Sequence, residues 1–210
     1  FVTTSVTLPI TSMTDCDGDG VTNADEIANG TDPQDDCDFL VANITLPITS
    51  TADCDGDGVT NADEVAGLDG DPLTTNDNTD PLDPCDYNVG QITVTVTSNG
   101  DCDGDGVTDA DENVGPDGVA NSGDETDPQD DCDFDVASIT LPVSSTSDCD
   151  GDGVINTDEF ADNTNPLDPC DFDATSVTVP QSGAWLAADC DGDGVTNEDE
   201  MNGVDGDPLT

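Results

Sequence analysis

Asp15-Cys-Asp-Gly-Asp-Gly-Val-Thr-Asn-Ala-Asp-Glu26 is the stretch that decides the reading. Three carboxylates alternate with small residues, a glycine follows, and a glutamate closes the block at its twelfth position. A hard divalent ion such as Ca2+ wants six to eight oxygens, and a short loop can wrap it only with this alternation and a glycine at the sharp turn. Asp15, Asp17 and Asp19 take loop positions 1, 3 and 5. Val21 offers a carbonyl at 7, Asn23 sits at 9, and Glu26 supplies the two-oxygen ligand at 12.

The block recurs four times, in register. Its second copy places Asp53, Asp55, Asp57, Val59, Asn61 and Glu64 at these positions. The third places Asp101, Asp103, Asp105, Val107, Asp109 and Glu112, with Asp for Asn at position 9. The fourth gives Asp148, Asp150, Asp152, Val154, Asn156 and Glu159, and the fifth Asp189, Asp191, Asp193, Val195, Asn197 and Glu200. Solvated acidic runs are common, but they give no reason for a glycine at position 6 and a glutamate at position 12 in every copy. Calcium is therefore the expected cofactor.

Around the blocks the chain divides into five repeats: 1–38, 39–86, 87–133, 134–171 and 172–210, the second and third lengthened by insertions and the fifth read as truncated. Each opens with an aromatic (Phe1, Phe39, Tyr87, Phe134, Phe172), expected to anchor a junction. A Thr/Ser-rich apolar alternation follows: Val6, Leu8, Ile10; Ile44, Leu46, Ile48; Ile92, Val94, Val96; Ile139, Leu141, Val143; Val177, Val179. Period two predicts a half-buried strand, and Pro9, Pro47, Pro142 and Pro180 confine such strands to edges or short pairs. The acidic loop comes next, then a Thr-Asp-Pro closure ending in Cys-Asp. No helix is expected before a loop. After it one or two turns fit, for instance Thr22 to Ala28, capped by Thr22 and Asp25 and stopped at Gly30. With no paired helices there is no groove to open, which favours a structural ion site over a calmodulin-like sensor.

The composition excludes much else. The 210 residues contain 51 Asp and Glu and no Lys, Arg or His, for a formal charge of −51. Such a chain has no cation for phosphate backbones or anionic membranes and forms no internal salt bridge. It lacks the usual base and amine nucleophile, and its carboxylate clusters are all absorbed by ion ligation, so an enzyme is not expected. Aromatics are 3% of the chain. A core that small needs disulfides or metals. No apolar run is long enough to span a membrane, and the start at Phe1 reads as an interior slice of a longer protein.

Nine cysteines suit an oxidising, extracellular compartment. They occupy loop position 2 (Cys16, Cys54, Cys102, Cys149, Cys190) and the closure (Cys37, Cys85, Cys132, Cys170). The preferred pairing closes each acidic unit on itself, Cys16 with Cys37, Cys54 with Cys85, Cys102 with Cys132 and Cys149 with Cys170. The rival joins Cys37 to Cys54 and so on, leaving Cys16 free; an extended strand between those cysteines would hold them too far apart unless it folds back. Trp185 and Phe160 read as local packing residues.

Asp-Cys-Asp-Gly-Asp-Gly-Val-Thr-Asn, followed by Thr-Asp-Pro and a second Cys-Asp, resembles thrombospondin type 3 and bacterial calcium repeats. With Ile-Thr-Leu-Pro segments and Asp-Pro-Cys-Asp-Phe junctions the whole unit is similar to the repetitive stalk of SprB-type gliding-motility adhesins of Bacteroidota. That resemblance implies a long, type IX-secreted filament at the bacterial cell surface.

The fold expected is mostly irregular with short β segments: a linear, elongated array of five calcium-loop repeats, each with an EF-hand-type loop lacking flanking helices and a disulfide. The function expected is a structural calcium-binding stalk for gliding or surface attachment. Its partners would be neighbouring repeats of the same chain, other filament chains or surface polysaccharide, with no nucleic acid and no membrane insertion. The alternatives are a dockerin-like binding module, which would need longer helices with basic contact residues, or a matrix fibre unrelated to motility.

Overall fold

A computed structural model describes residues 13–70 and 78–203. It falls into two units, Phe1–Gly100 and Asp101–Thr210. The first alternation, Val6 to Ile10, lies outside the described residues.

Each acidic loop runs into a short helix, and local chemistry sets both helix ends. In the first unit α1 spans Asn23–Asn29, with Thr22 as N-cap and Gly30 closing it at φ 92. The Thr22 hydroxyl accepts from the Asp25 amide and donates to its carboxylate at 2.6 Å, while the Gly30 and Thr31 amides both reach the Glu26 carbonyl. This is the expected helix. Helix α2 spans Asn61–Ala66. In the second unit α3 spans Asp109–Glu112, α4 Asn156–Asp162, α5 Gly183–Leu186 and α6 Asn197–Met201. Helix α5, a single turn capped by Ser182 in front of the fifth loop, departs from the expectation that no helix precedes a loop.

The expected strands do not form; among the described residues there is no strand. A one-turn 3-10 helix, Val41–Asn43, turns the chain after Phe39, and residues 44–50 then lie across the preceding acidic loop. Their donors work in adjacent pairs. Thr45 and Leu46 both donate to the Gly20 carbonyl at 2.9 and 3.0 Å, and Thr49 and Ser50 both donate to Gly18 at 2.8 and 3.0 Å. The period-two pattern has a real cause, since Ile44 and Ile48 face Gly20 across the contact. The buried face packs on a loop, however, and not on a sheet. Pro47 would lack the donor a ladder needs.

The arrangement recurs. In the first unit Thr93 and Val94 reach Gly58, and Thr97 and Ser98 reach Gly56. In the second, Thr140 and Leu141 reach Gly106, Ser144 and Ser145 reach Gly104, Thr178 and Val179 reach Gly153, and Ser182 reaches Gly151. The segment that opens one repeat thus covers the loop of the repeat before it.

This fold-back decides the cysteines. The preferred pairing is wrong: Cys37 is bonded to Cys54, Cys132 to Cys149 and Cys170 to Cys190, with Cα atoms 5.3 to 5.4 Å apart. Cys85 and Cys102 are disulfide-bonded too, and Cys16 is free and exposed. The chain between bonded cysteines is extended only in part. The 3-10 turn and the passage over the loop bring its ends together.

Apolar packing is sparse. The junction aromatics Phe39, Tyr87, Phe134 and Phe172 are buried, and so are the position-7 valines of the first four loops. In the second unit Val154, Phe172 and Trp185 form a cluster with Val177 and Leu186 alongside. Trp185 meets Phe172 edge to face at 5.7 Å and donates from Nε1 to the Pro169 carbonyl at 2.6 Å, as a packing residue should. Phe160, expected to pack likewise, is exposed on α4.

Candidate metal centres

Every loop is held by its own amides, which leave carboxylate oxygens over. The position-1 carboxylate takes two bonds: Gly18 and Gly20 donate to the two oxygens of Asp15 at 2.7 and 3.0 Å. Gly56 and Gly58 bind Asp53 in this way, Gly104 and Gly106 bind Asp101, and Gly151 and Gly153 bind Asp148. Position 5 receives the position-7 amide, Val21 to Asp19 at 2.7 Å, Val59 to Asp57, Val107 to Asp105 and Val154 to Asp152. Position 3 receives the position-5 amide in the second to fifth loops, at 3.3 Å on Asp55 and 3.0 to 3.1 Å on Asp103, Asp150 and Asp191.

The alternating glycines make these bonds possible. Gly18 and Gly20 both sit at φ 90, the left-handed region that only glycine enters without cost.

What remains is a set of buried acceptors with no donor. Both oxygens of Asp17, Oδ2 of Asp19, Asp55, Asp103, Asp105, Asp150 and Asp152, and Oε2 of Glu112 make no hydrogen bond. Oxygens from positions 1, 3 and 5 lie within 4.8 Å of one another in the first three loops. Buried polar atoms nearly always find a partner, and converging carboxylates repel one another unless a cation lies between them or they hold their protons. This chain has no cationic side chain of its own. The donor set, all oxygen, suits a hard divalent cation.

Position 12 lands beside them. Glu26, Glu64, Glu112 and Glu159 are all buried on the first turn of their helices. The short and long repeats differ here. In the short ones both oxygens of Glu26 and of Glu159 are without a hydrogen bond, and the closure hydroxyls of Thr31 and Thr164 donate to the glutamate's backbone carbonyl. In the long ones Thr79 donates instead to Glu64 Oε1 at 3.2 Å, and Thr126 to Glu112 Oε1 at 3.0 Å.

Position 9 makes a further set of contacts within the loop. The side-chain oxygens of Asn61, Asp109, Asn156 and Asn197 accept from the amide of the position-2 cysteine at 3.0 to 3.3 Å. The amide nitrogens of Asn23, Asn61, Asn156 and Asn197 donate to that cysteine's sulfur. Position 9 thus ties the position-2 cysteine to the loop. At position 7 the amide holds position 5, and the valine side chain is buried in the first four loops.

The electrostatics are those of crowded acids. Burial, aided by neighbouring carboxylates, pushes Glu64 and Glu112 up to about 9, Glu159 to about 8 and Glu26 to about 7. Asp103 and Asp150 rise to about 7, and Asp19, Asp55, Asp105 and Asp152 to about 6, again mainly through burial, with backbone amides pulling the other way. Sequence reading missed one contributor. Asp36 and Asp131 in the closures accept from the covering segments, Ser50 on Asp36 and Ser145 and Ser147 on Asp131, the last two at 2.6 Å. Asp36 also raises Asp19, and Asp131 raises Asp103 and Asp105. No spacing rule separates these aspartates from the other closure acids.

The fifth loop has the same internal bonds, with Gly192 and Gly194 donating to Asp189 and Val195 to Asp193 at 2.8 to 2.9 Å. Its first half is exposed, however, unlike the other four.

The family model of the bacterial TSP3 repeat matches the chain five times, at residues 15–35, 53–73, 101–114, 148–169 and 189–209. Each match opens on position 1 of an acidic loop. These matches support a thrombospondin type 3-like repeat protein. Among curated proteins and among solved structures nothing matches.

Proposed function

We propose that the chain is a calcium-binding structural stalk segment of a secreted bacterial surface protein. The observation that carries this reading is the convergence of buried, partnerless carboxylate oxygens in repeated loops of a protein without one basic side chain. Positions 1, 3, 5 and 12 of each loop would hold the ion, with the position-7 carbonyl and the position-9 side chain as the remaining ligands. When bound, it supplies the positive charge that lets these acids ionise while buried. The chain's own residues do the rest: glycine amides fix the position-1 carboxylate, the helix presents the glutamate, and the next repeat's segment excludes water from above.

Because the covering segment and the disulfide both come from the following repeat, ion binding stiffens the junction as well as the loop. That suits an elongated array carrying load between an anchor and a surface. Disulfides fit an extracellular site, and the resemblance to SprB-type stalks favours adhesion or gliding over a matrix fibre. The dockerin-like reading is weaker, since the loop helices have seven residues or fewer and none carries a basic contact residue.

Calorimetric titration tests the metal. Calcium should bind at about one ion per loop, with magnesium much weaker; no heat, or equal affinity for both, would end the proposal. Negative-stain images of the native protein should show a thin object that loses its outline in chelator.

A further inference from the structure

The residue before the closure cysteine divides the repeats. It is Asp36 in the first and Asp131 in the third, but Pro84 in the second and Pro169 in the fourth. The difference is independent of the insertions, because aspartate and proline each occur in one short and one long repeat. Each aspartate is tied to the acidic loop of its own repeat through the covering segment. Asp36 Oδ2 accepts from the Ser50 hydroxyl, the Ser50 amide donates to the Gly18 carbonyl at 3.0 Å, and the Gly18 amide donates to Asp15 Oδ1 at 2.7 Å. Asp131 Oδ2 accepts from the hydroxyls of Ser145 and Ser147 at 2.6 Å, and the same path runs from the Ser145 amide to Gly104 at 2.8 Å and from the Gly104 amide to Asp101 at 2.7 Å. In the proline repeats the serine remains, since the amides of Ser98 and Ser182 reach Gly56 and Gly151. Proline, however, offers their hydroxyls no carboxylate. Nor does the neighbouring closure acid separate the repeats: Asp35, Asp83, Asp130 and Asp168 are present in all four, each accepting the amide of its closure cysteine at 3.2 Å.

We infer that Asp36 and Asp131 are positioning residues that raise the cation affinity of the first and third loops from outside the ligand set, a contribution that proline withholds from the second and fourth. The inference rests on the calcium reading above. A carboxylate one serine away from the loop backbone adds a fixed negative charge, which attracts a divalent ion through space without serving as its ligand. The serine bonds hold that charge against the loop instead of leaving it to swing into solvent. The loop's own acids register it. Burial is the main reason that Asp19, Asp103 and Asp105 are raised, and the charge of Asp36 adds to the first and that of Asp131 to the other two. What repels the loop carboxylates attracts an ion placed among them. Both aspartates are only half buried, so salt screens part of the effect.

The test titrates calcium into the 15N-labelled full chain, with the amides of Gly20, Gly58, Gly106 and Gly153 reporting the four loops separately. Asp36→Asn keeps an oxygen for Ser50 and drops the charge. It should weaken the first loop about fivefold at low salt and leave the other three within about twofold, and the deficit should fade in about 1 M salt. Asp36→Glu, which keeps the charge, should restore most of the first loop's affinity. Pro84→Asp supplies the missing carboxylate beside Ser98 and should tighten the second loop by a similar factor. An unchanged first loop in Asp36→Asn overturns the inference, and so does a deficit that persists in high salt, because the aspartate would then be a structural latch and no more. If Asp36→Asn loses the protection of its Thr45 and Leu46 amides, Pro84→Asp decides: a tighter second loop upholds the inference and an unchanged one overturns it. Absence of calcium binding at every loop of the parent chain would instead remove the calcium reading, and this inference with it.

Discussion

At the scale of single residues, glycines separate conformation from contact. Gly30 and Gly20 have nearly the same backbone, φ 92 and φ 90, but a Cβ on Gly30 meets nothing within 4 Å and one on Gly20 meets the Leu46 carbonyl and the side chains of Ile44 and Ile48 at 2.9 to 3.1 Å. Alanine at Gly30 should therefore cost only the left-handed backbone, about 1–2 kcal/mol. Alanine at Gly20 adds a collision with a backbone atom that cannot swing away. Hydrogen exchange at the Thr45, Leu46, Thr49 and Ser50 amides reads the difference: Gly20→Ala should expose all four, and Gly30→Ala should leave them protected. Equal protection in both variants would mean that the covering segment bears no weight in the fold. The role of these glycines was half legible. Position 6 is dictated by the turn of an acidic loop, but the close approach of another backbone has no signature in spacing, because it depends on a segment from the next repeat.

At the scale of the element, the loop and its helix were readable from local chemistry alone. Thr22, Asp25 and Gly30 fix both ends of α1 through bonds between near neighbours in sequence. The strand and the disulfide were not, for one shared reason. Alternation of Ile44, Leu46 and Ile48 reports that one face is buried without saying against what, and the distance between Cys37 and Cys54 depends on how the chain between them turns. Once Val41–Asn43 makes a 3-10 turn, the pairing follows. The long repeats also differ from the short ones at the closure. In these repeats the closing threonine's hydroxyl donates to the glutamate's carboxylate, Thr79 to Glu64 and Thr126 to Glu112, while its amide stays on the backbone carbonyl. A hydrogen bond to a charged group contributes about 1.5–3 kcal/mol, so Thr79→Val should weaken cation binding at the second loop roughly tenfold or more. Thr31→Val, which touches only the Glu26 carbonyl, should leave the first loop's affinity within about threefold, a change of under 1 kcal/mol. Calorimetry on the two variants compares them directly, and equal losses would show that the threonine acts through the closure and not through the carboxylate.

At the scale of the whole molecule the decisive quantity is −51 elementary charges with no opposite sign in the chain. Folding buries acids that would otherwise be hydrated, and without a cation they are kept neutral at a cost that depends on pH. Glu64 and Glu112 stand at about 9 in the folded chain against an ordinary 4.5, and Glu159 at about 8. A carboxyl with a raised value binds its proton more tightly folded than unfolded. Its stabilising effect is thus fully present below about 4.5 and is lost as pH rises through the window up to about 9. Chelated protein should consequently be more stable at pH 5 than at pH 8.5, the reverse of ordinary acid denaturation. Calcium should invert the sign, because an ion held by these carboxylates would replace their protons and bind best when they are gone; its stabilisation should be small at pH 5 and large at pH 8.5. Trp185, buried among Val154 and Phe172, reports unfolding of the second unit by fluorescence, and urea titrations at the two pH values, with and without calcium, complete the comparison. If the chelated chain were equally stable at both, the buried carboxylates would not be the groups that make this fold depend on an ion. If it were stable at pH 8.5 without calcium, disulfides and the sparse core would be holding the array together unaided.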